Sequence, residues 1–544
     1  MPQRYEKSLF LPKFLQMKKY QKILIATLSG LLLWASWPLR GCAALIFIAL
    51  VPLLYLEQRI SEGEKGKLFW LSFLTFMIWN VGTTWWVWNA TPAATAAWIL
   101  NSIFMSTIFC LFHFTKRKLG NKIVGNFLLI PYWMAFEYLH YFWAAKWPWL
   151  NLGNVFSTCH TWIQWYSATG VAGGTLWILL VNILISNILT YCCRQEKHLA
   201  YWNIGAAILL LVVPITVSKI IYANYEDQGE PTEVVVVQQN CDPWNEQFDS
   251  QFYDATIQRN VDLANQVASD NTRFVVSSES AIQEGIWLDD LQRVRAFRIL
   301  GKYLMAHPQS AFVIGGTTYE WVPKGMENDF PARHIEGTDR YYYAHNSAIL
   351  LDTVGMQYRN KSKLTPGVEA IPEWMRFLRN FSLTMGIARG TLKTDDEAYT
   401  MSYDGHTIGA AICYESAFGG YVSEFTRKGA DLLFVITNDG WWGDTPGYRQ
   451  HFEFSKLRAI ENRRCVARSA NTGCSGFINQ RGDVLQKTKY WEQDVIKEQL
   501  KANTKMTFYS KHGDYLYYHA MIFSWMALFT AIFVWIFGLS RMKK

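Results

Sequence analysis

The pattern of apolar and polar positions divides the chain into three parts. Long, nearly uninterrupted hydrophobic stretches occupy 22–38, 42–57, 68–90, 93–114, 123–143, 166–190 and 201–222, and one more lies at 516–539. A helix needs about 20 apolar residues to cross a bilayer, so the pattern predicts eight transmembrane helices. The first two stretches are short and share a tight Pro38-Leu-Arg-Gly41 turn, for which a single re-entrant hairpin is the alternative. From Glu233 the texture changes. Short β-branched runs at 234–237, 274–276, 311–314, 347–351, 408–412, 432–436 and 465–470 alternate with helical stretches at 246–269, 287–306 and 447–463. Such alternation predicts layered α and β structure in one domain. The expected organisation is a membrane part over 1–222, a polar α/β domain over 223–515 and a last membrane helix with its tail over 516–544.

Charge adds an orientation. Basic residues gather before the first span (Lys13, Lys18, Lys19) and in alternate loops (Arg59, Lys65, Lys67; Lys116, Arg117, Lys118, Lys122; Arg194, Lys197). They recur after the last span (Arg541, Lys543, Lys544), while the intervening loops carry little beyond Arg40 and Lys146. The positive-inside rule puts both ends in the cytoplasm and 223–515 on the opposite side, the periplasm of a double-membrane bacterium. The net charge of +8 comes from these loops, and no basic arm or nucleic-acid motif accompanies it. A mean hydropathy of +0.00 averages two unlike populations. Many of the 25 tryptophans fall near segment ends, where amphipathic rings favour the headgroup level.

Other classes are disfavoured. Nine scattered cysteines without a CxxC pair suit neither a disulfide framework nor structural zinc, and no cofactor or metal is expected. Ser36-Trp37-Pro38 is no signal-peptidase site, and Arg40 argues against lipoprotein-type cleavage before Cys42. Glu137 and His140 are the clearest ionisable groups inside a span, too few for a transporter's relay. For these two the alternatives are an interhelical hydrogen bond near a helix end and a functional role.

Chemistry concentrates where apolar runs end. Glu279 closes Phe274-Val-Val-Ser-Ser-Glu279, Lys361 follows the run ending at Asp352, and Cys413 ends Gly409-Ala-Ala-Ile-Cys413 beside Tyr414 and Glu415. A base, a cation and a thiol are the parts of covalent acyl transfer. Taken singly each has an ordinary explanation: a core cysteine, a capping glutamate, a solvated lysine. The surrounding residues change that balance. Ser278-Glu279-Ser280-Ala281, Tyr358-Arg-Asn-Lys361-Ser-Lys-Leu364-Thr-Pro366-Gly-Val-Glu369 and Ile412-Cys413-Tyr414-Glu415 resemble the three catalytic motifs of the nitrilase (carbon–nitrogen hydrolase) superfamily. In particular they resemble its membrane-bound branch, the apolipoprotein N-acyltransferases. Thr437-Asn438-Asp439-Gly-Trp441-Trp-Gly443, Gln450-His451-Phe452, Arg458-Ala-Ile-Glu461, Arg468-Ser-Ala-Asn471-Thr-Gly473 and the Lys146-Trp-Pro-Trp-Leu-Asn-Leu-Gly153 loop agree with it.

The resemblance implies a multi-span helical membrane domain carrying a nitrilase-like α-β-β-α sandwich. It implies Glu279 as general base, Lys361 as electrostatic stabiliser and Cys413 as nucleophile. Glu369, Tyr414, Glu415 and Asn438 would support them, with Glu369 and Glu415 orienting Lys361 or sharing its protons. Lys363 competes for the place of the cation, but Lys361 has the family's spacing to Leu364 and Pro366. Trp244, Trp441 and Trp442 are candidates for substrate contact or for a lipid-touching lid, with an ordinary packed turn as the alternative for Gly440-Trp-Trp-Gly443. The implied reaction moves an acyl chain from phospholipid to Cys413, and then to the α-amine of a diacylglyceryl-cysteine on an apolipoprotein. A monomer in the bacterial inner membrane is expected, with phospholipid and lipoprotein as partners. Two rivals use the same parts: a tethered amidase for a small soluble amide, and a transporter or receptor whose nitrilase-like domain is not catalytic.

Overall fold

The computed structural model describes residues 16–39, 41–92, 94–120, 123–143, 146–247, 249–370 and 391–538. Lys13, Arg40, Lys122, Arg541, Lys543 and Lys544 of the charge pattern lie outside them.

Every apolar stretch contains helix. Ala43–Ser61, Ala94–Lys118, Tyr166–Cys193, Lys197–Asn224 and Tyr515–Ile536 are long and apolar enough to cross a membrane unaided, whereas Leu68–Thr84 is a shorter apolar helix. Helices Lys19–Ser36 and Leu129–Leu139 fall short of that measure and take their place through packing. Gly30 lets the first helix press against Leu68–Thr84, since a Cβ there would stand 2.7 Å from the Thr75 carbonyl oxygen. The Thr75 hydroxyl returns a hydrogen bond to the Ala26 carbonyl at 2.8 Å, a small-residue contact of the kind that joins helices where lipid offers no hydrophobic drive.

The polar part is two facing sheets. From edge to edge the first runs Asp494–Ala502, Glu230–Gln238, Thr272–Val276, Ala311–Trp321, Tyr341–Leu351, Arg333–His334; Ile282–Trp287 also pairs with Ala311–Trp321, and Met356–Asn360 with Tyr341–Leu351. The second runs Val484–Lys487, Gly476–Ile478, Val466–Ala470, Leu432–Thr437, His406–Ile412, Met401–Tyr403. Side chains alternate between the faces of a strand, and this sorts each valine run into two cores. Val234 and Val236 pack between the sheets against Phe434 and Ile436. Val235 and Val237 pack outward against Ile257, Val261 and Leu300 of helices Tyr253–Val267 and Arg295–Ala306. Helices Gly419–Arg427 and Pro446–Asn462 cover the other face of the second sheet. The chain thus forms an α-β-β-α sandwich.

One correction concerns the stretch 287–306. Residues 282–287 are a strand beside Ala311–Trp321, and the helix begins only at Arg295. Trp287 stacks on Trp321, ring centroids 4.3 Å apart, and this cross-strand pair outweighs the local helical pattern.

The second sheet's helix layer also touches the membrane helices. Leu457, Ile460 and Phe425 belong to one continuous apolar core with Trp149, Val171, Ile178 and Trp133. Glu137 ties this region together. Its carboxylate accepts from Trp133 Nε1 (3.1 Å), Leu152 N (2.7 Å), Thr175 Oγ1 (2.7 Å) and Tyr517 Oη (2.7 Å). Of the two readings, Glu137 takes the interhelical hydrogen bond: it joins helix Leu129–Leu139 to Tyr166–Cys193 and to Tyr515–Ile536. Replacing it by leucine strands several buried donors, each costing about 1–3 kcal/mol. Glu137→Leu is therefore expected to lower the melting temperature of the detergent-solubilised protein well beyond the effect of Tyr517→Phe, which removes one donor to that carboxylate and one long contact from Asn151 Nδ2.

Candidate active site

Three strand ends converge. Leu432–Thr437 is parallel to His406–Ile412 with Ile436 opposite Ile412, so Cys413 and Asn438 leave the sheet side by side. Met356–Asn360 is antiparallel to Tyr341–Leu351 with Ser347 opposite Asn360, and Lys361 N donates to the Asn346 carbonyl at 2.8 Å. Glu279 follows Thr272–Val276 across the interface between the sheets. Its backbone lies so close to Gly315 that a Cβ there would stand 2.7 Å from Glu279 Cα.

These ends surround a cavity of about 280 Å³ lined by Glu279, Lys361, Glu369 and Cys413, with Ala90 and Trp442 on its membrane side. Lys361 is 1% exposed. Its ammonium donates to Glu279 Oε1 at 3.0 Å and to Glu369 Oε1 at 2.9 Å. Asn346 Nδ2 bridges the same two oxygens at 2.7 and 3.0 Å. Asn438 N holds Glu279 Oε2 at 3.0 Å, and Thr365 N holds Glu369 Oε2 at 2.8 Å. Both carboxylates are fixed at both oxygens. Burial pushes the Lys361 ammonium toward losing its proton, but Glu279 and Glu369 outweigh it and hold its pKa well above the ordinary lysine value. Burial raises Glu369, yet Lys361 pulls its carboxyl below the ordinary range.

Cys413 has φ +51°, a left-handed conformation that costs a non-glycine residue about 1–3 kcal/mol. Several contacts hold it there. Glu415 accepts from Ile412 N at 2.8 Å, Ser416 Oγ donates to the Cys413 carbonyl at 2.8 Å, and His451 Nε2 lies 3.2 Å from the same carbonyl. Burial, then the nearby Glu279 carboxylate, pushes the thiol's pKa far up despite Lys361, so the resting group is the thiol. Attack from this sulfur needs a base at the moment of reaction.

The supporting residues divide their work differently from the reading that joins Glu415 to Lys361. Glu415 faces Arg359 instead, in a buried bidentate pair with contacts of 2.6 and 2.8 Å. Through Ser362 N, bonded to Glu415 Oε1 at 2.6 Å, it ties the lysine-bearing segment to the cysteine-bearing one. Lys363 points elsewhere, its ammonium 5.2 Å from the Tyr421 ring centroid, which leaves Lys361, among the described residues, as the cation of this cavity. Tyr414 Oη donates to the Lys146 carbonyl at 2.8 Å, anchoring the cysteine segment to the loop between two membrane helices.

Trp442 is packed rather than free. Its ring centroid is 4.7 Å from Trp86 and 5.9 Å from Trp149, and Asn89 Nδ2 donates to its carbonyl at 2.9 Å. Trp244, 60% exposed, meets Trp441 edge to face at 4.9 Å. Beneath Cys413 lies a buried polar set: His451 Nδ1 is 2.9 Å from Asp439 Oδ1, and Arg468 binds the other carboxylate oxygen. Burial keeps the imidazole below its ordinary pKa. The assignments drawn from sequence omitted Asn346, the partnership of Arg359, and this set. Among the described residues no cluster of His, Cys, Asp and Glu is arranged to hold a metal.

A sandwich of this kind with glutamate, lysine and cysteine at one cavity defines a carbon–nitrogen hydrolase domain, here built onto membrane helices. Residues 254–506 match the carbon–nitrogen hydrolase family model, and residues 29–184 match that of the apolipoprotein N-acyltransferase N-terminal domain. An apolipoprotein N-acyltransferase of Chlorobaculum tepidum is 29% identical over 512 residues, covering 90% of this chain and 92% of that one. Its namesake in Geobacter metallireducens is 26% identical over 531 residues, 94% of each chain. Among solved structures, Nit3 of Saccharomyces cerevisiae, a nitrilase-superfamily member, has a TM-score of 0.36 at 16% identity, covering 51% of this chain and 92% of that one. The chain belongs to the apolipoprotein N-acyltransferase family.

The ion cluster sets a pH dependence. Lys361, its pKa raised, contributes stability fully below the ordinary lysine value and loses it only as pH rises through the raised one. Glu369, its pKa depressed, contributes fully above the ordinary carboxylate value of about 4.3 and loses that contribution as pH falls through the depressed one. The difference in melting temperature between wild type and Glu369→Gln is thus expected to stay constant from about pH 5 to 8 and to shrink on acidification below about pH 4.

Proposed function

We propose that the chain is the acyltransferase that completes lipoprotein maturation, moving an acyl chain from a phospholipid through a Cys413 thioester to the α-amine of a diacylglyceryl-cysteine. The observation that carries the residue roles is the shared cavity: a thiol, a doubly fixed carboxylate and a buried ammonium meet where the sandwich touches membrane helices.

In the first step Cys413 Sγ attacks the ester carbonyl while Glu279 takes the thiol proton. Lys361 faces the oxyanion, and a charge so buried stabilises it more than a solvated one would. The intermediate collapses to the thioester, and Glu279 returns the proton to the departing lysophospholipid oxygen. In the second step the acceptor amine, in its neutral form, attacks the thioester. Glu279 takes the amine proton, the amide forms, and the proton passes to the leaving thiolate of Cys413. Glu369 and Asn346 keep Lys361 and Glu279 in register, and Glu415 fixes the backbone on either side of the site. Trp244 and Trp441 offer aromatic surface to the incoming lipid.

In this reading 223–515 is the catalytic domain, facing the periplasm, and 1–222 with 516–544 form the part embedded in the inner membrane. One copy suffices, because every reacting group comes from the same chain. Family membership favours it over a soluble-amide hydrolase, and so does a cavity that borrows Ala90 from the short helix Val87–Ala90, which connects the apolar helices Leu68–Thr84 and Ala94–Lys118. The test is product formation by purified protein given phospholipid and a synthetic lipopeptide with an N-terminal S-diacylglyceryl-cysteine. Wild type is expected to add one acyl group in amide linkage. Cys413→Ala is expected to add none, and Lys361→Met to lose about a hundred- to a thousandfold in rate, as removal of one oxyanion-stabilising group does elsewhere. Unchanged acylation by Cys413→Ala would refute the reading.

A further inference from the structure

A second cavity, of about 310 Å³, lies on the far side of the cysteine segment. Phe418, which follows that segment, lines it, as do Tyr138 and Phe142. Its rim includes Gly513 and Asp514, immediately before helix Tyr515–Ile536, while Tyr138 stands in the last turn of helix Leu129–Leu139. Both membrane helices end here on the side of the sandwich. The cavity therefore sits at the level where lipid headgroups lie.

Its charges are unevenly matched. Lys363, Arg427 and Lys511 all line it. Of the acids in the lining, the Asp514 carboxylate is bonded by Tyr509 Oη at 2.6 Å, and Glu424 stands 3.9 Å from Arg427. Among the described residues neither Lys363 nor Lys511 pairs with a carboxylate; Lys363 is half-buried over the Tyr421 ring, and Lys511 is exposed. Two lysines two residues apart thus serve two cavities: Lys361 is neutralised by two glutamates, Lys363 by none. Along helix Tyr515–Ile536, which begins directly after Asp514 of this lining, Tyr518, Ile522, Trp525 and Phe529 at helical spacing expose an apolar and aromatic face. Cations at the headgroup level above an open apolar face are complementary to a molecule that has a phosphate at one end and hydrocarbon at the other.

We propose that this cavity binds the phosphodiester headgroup of a glycerophospholipid, with Lys363, Arg427 and Lys511 around the phosphate and the acyl chains along helix Tyr515–Ile536. The site is separate from the one at Cys413, and its occupancy does not require the chemistry there. A lipid held in this way would brace the wall that carries the cysteine segment, through Phe418 and Tyr421.

The test uses delipidated full-length Cys413→Ala protein in neutral detergent, so that no lipid is consumed, with bound molecules counted by native mass spectrometry. The probes are dioleoyl phosphatidylglycerol, dioleoyl phosphatidylethanolamine, dioleoylglycerol and inorganic phosphate. A second bound phospholipid is expected beyond the one held in the Cys413 cavity, whereas dioleoylglycerol fills no second place. Lys363→Gln/Lys511→Gln is expected to weaken the second event by roughly thirtyfold, the loss of two cations beside a phosphate. Lys363→Arg/Lys511→Arg is expected to keep it. Equal binding of dioleoylglycerol, or no loss in the glutamine variant, would overturn the proposal. Inorganic phosphate binding as tightly as the phospholipid would make this a phosphate site and overturn the lipid assignment. If the double variant does not fold, Lys511→Gln alone, at an exposed side chain, is expected to weaken the second event about fivefold.

Discussion

The site depends on one buried cation. Lys361 is enclosed, and an ammonium removed from water is tolerable only where opposite charge and hydrogen bonds replace the solvent. Glu279 and Glu369 provide both, and the demand works in the other direction too: a fixed ammonium determines where the two carboxylates must point. Asn346, Asn438 and Thr365 occupy the remaining positions on those oxygens. Glu279 is thereby held beside Cys413 in one cavity, while burial keeps the thiol protonated until a substrate arrives. A permanently ionised cysteine would be open to oxidants and to stray electrophiles. A protonated one beside a positioned base reacts when an ester is in place.

The second constraint is position relative to the membrane. The helix layer that covers one sheet is also the layer that packs on the membrane helices, so the ends of that sheet's strands lie close to those helices. Polar contacts set the docking. Tyr414 Oη reaches the Lys146 carbonyl, Trp149 Nε1 donates to Gln450 at 2.8 Å, and Arg463 donates to Gln164 at 2.7 Å. The cysteine segment, with Cys413 facing one cavity and Phe418 the other, thus belongs to the sandwich and is anchored by a membrane loop. Acyl transfer between two bilayer-held substrates calls for this placement; an amidase acting on a soluble molecule has no use for it.

Much of this was legible in sequence because the signals were local. Runs such as 432–436 and 408–412 read as strands, and each is one; Glu279 and Cys413 stood out because each terminates such a run. Contacts between distant residues were not legible. Asn346 lies inside strand Tyr341–Leu351, where a polar residue reads as a solvent-facing position; only the register with the neighbouring strand brings it to Lys361. Glu415 looked like a partner for Lys361 because both belong to family motifs, yet Arg359, fifty-six residues before it, takes the carboxylate. Trp442 read equally well as a lid or a packed turn until Trp86 and Trp149 were seen against it. The edge strand Asp494–Ala502 reads Asp-Val-Ile-Lys-Glu-Gln-Leu-Lys-Ala, where apolar and polar residues do not alternate, so nothing announces a strand before its partner Glu230–Gln238 is known.

The central claim is that Cys413 carries the acyl group, and the most direct measurement is the mass of the enzyme trapped between its two half-reactions. Purified protein incubated with phospholipid alone, digested and weighed, is predicted to show one fatty acyl chain on the peptide containing Cys413. The group should be lost to neutral hydroxylamine and discharged by the diacylated lipopeptide. A Cys413 peptide that stays unmodified while lipopeptide added afterwards is still acylated would contradict the account, as would an acyl chain found on another residue.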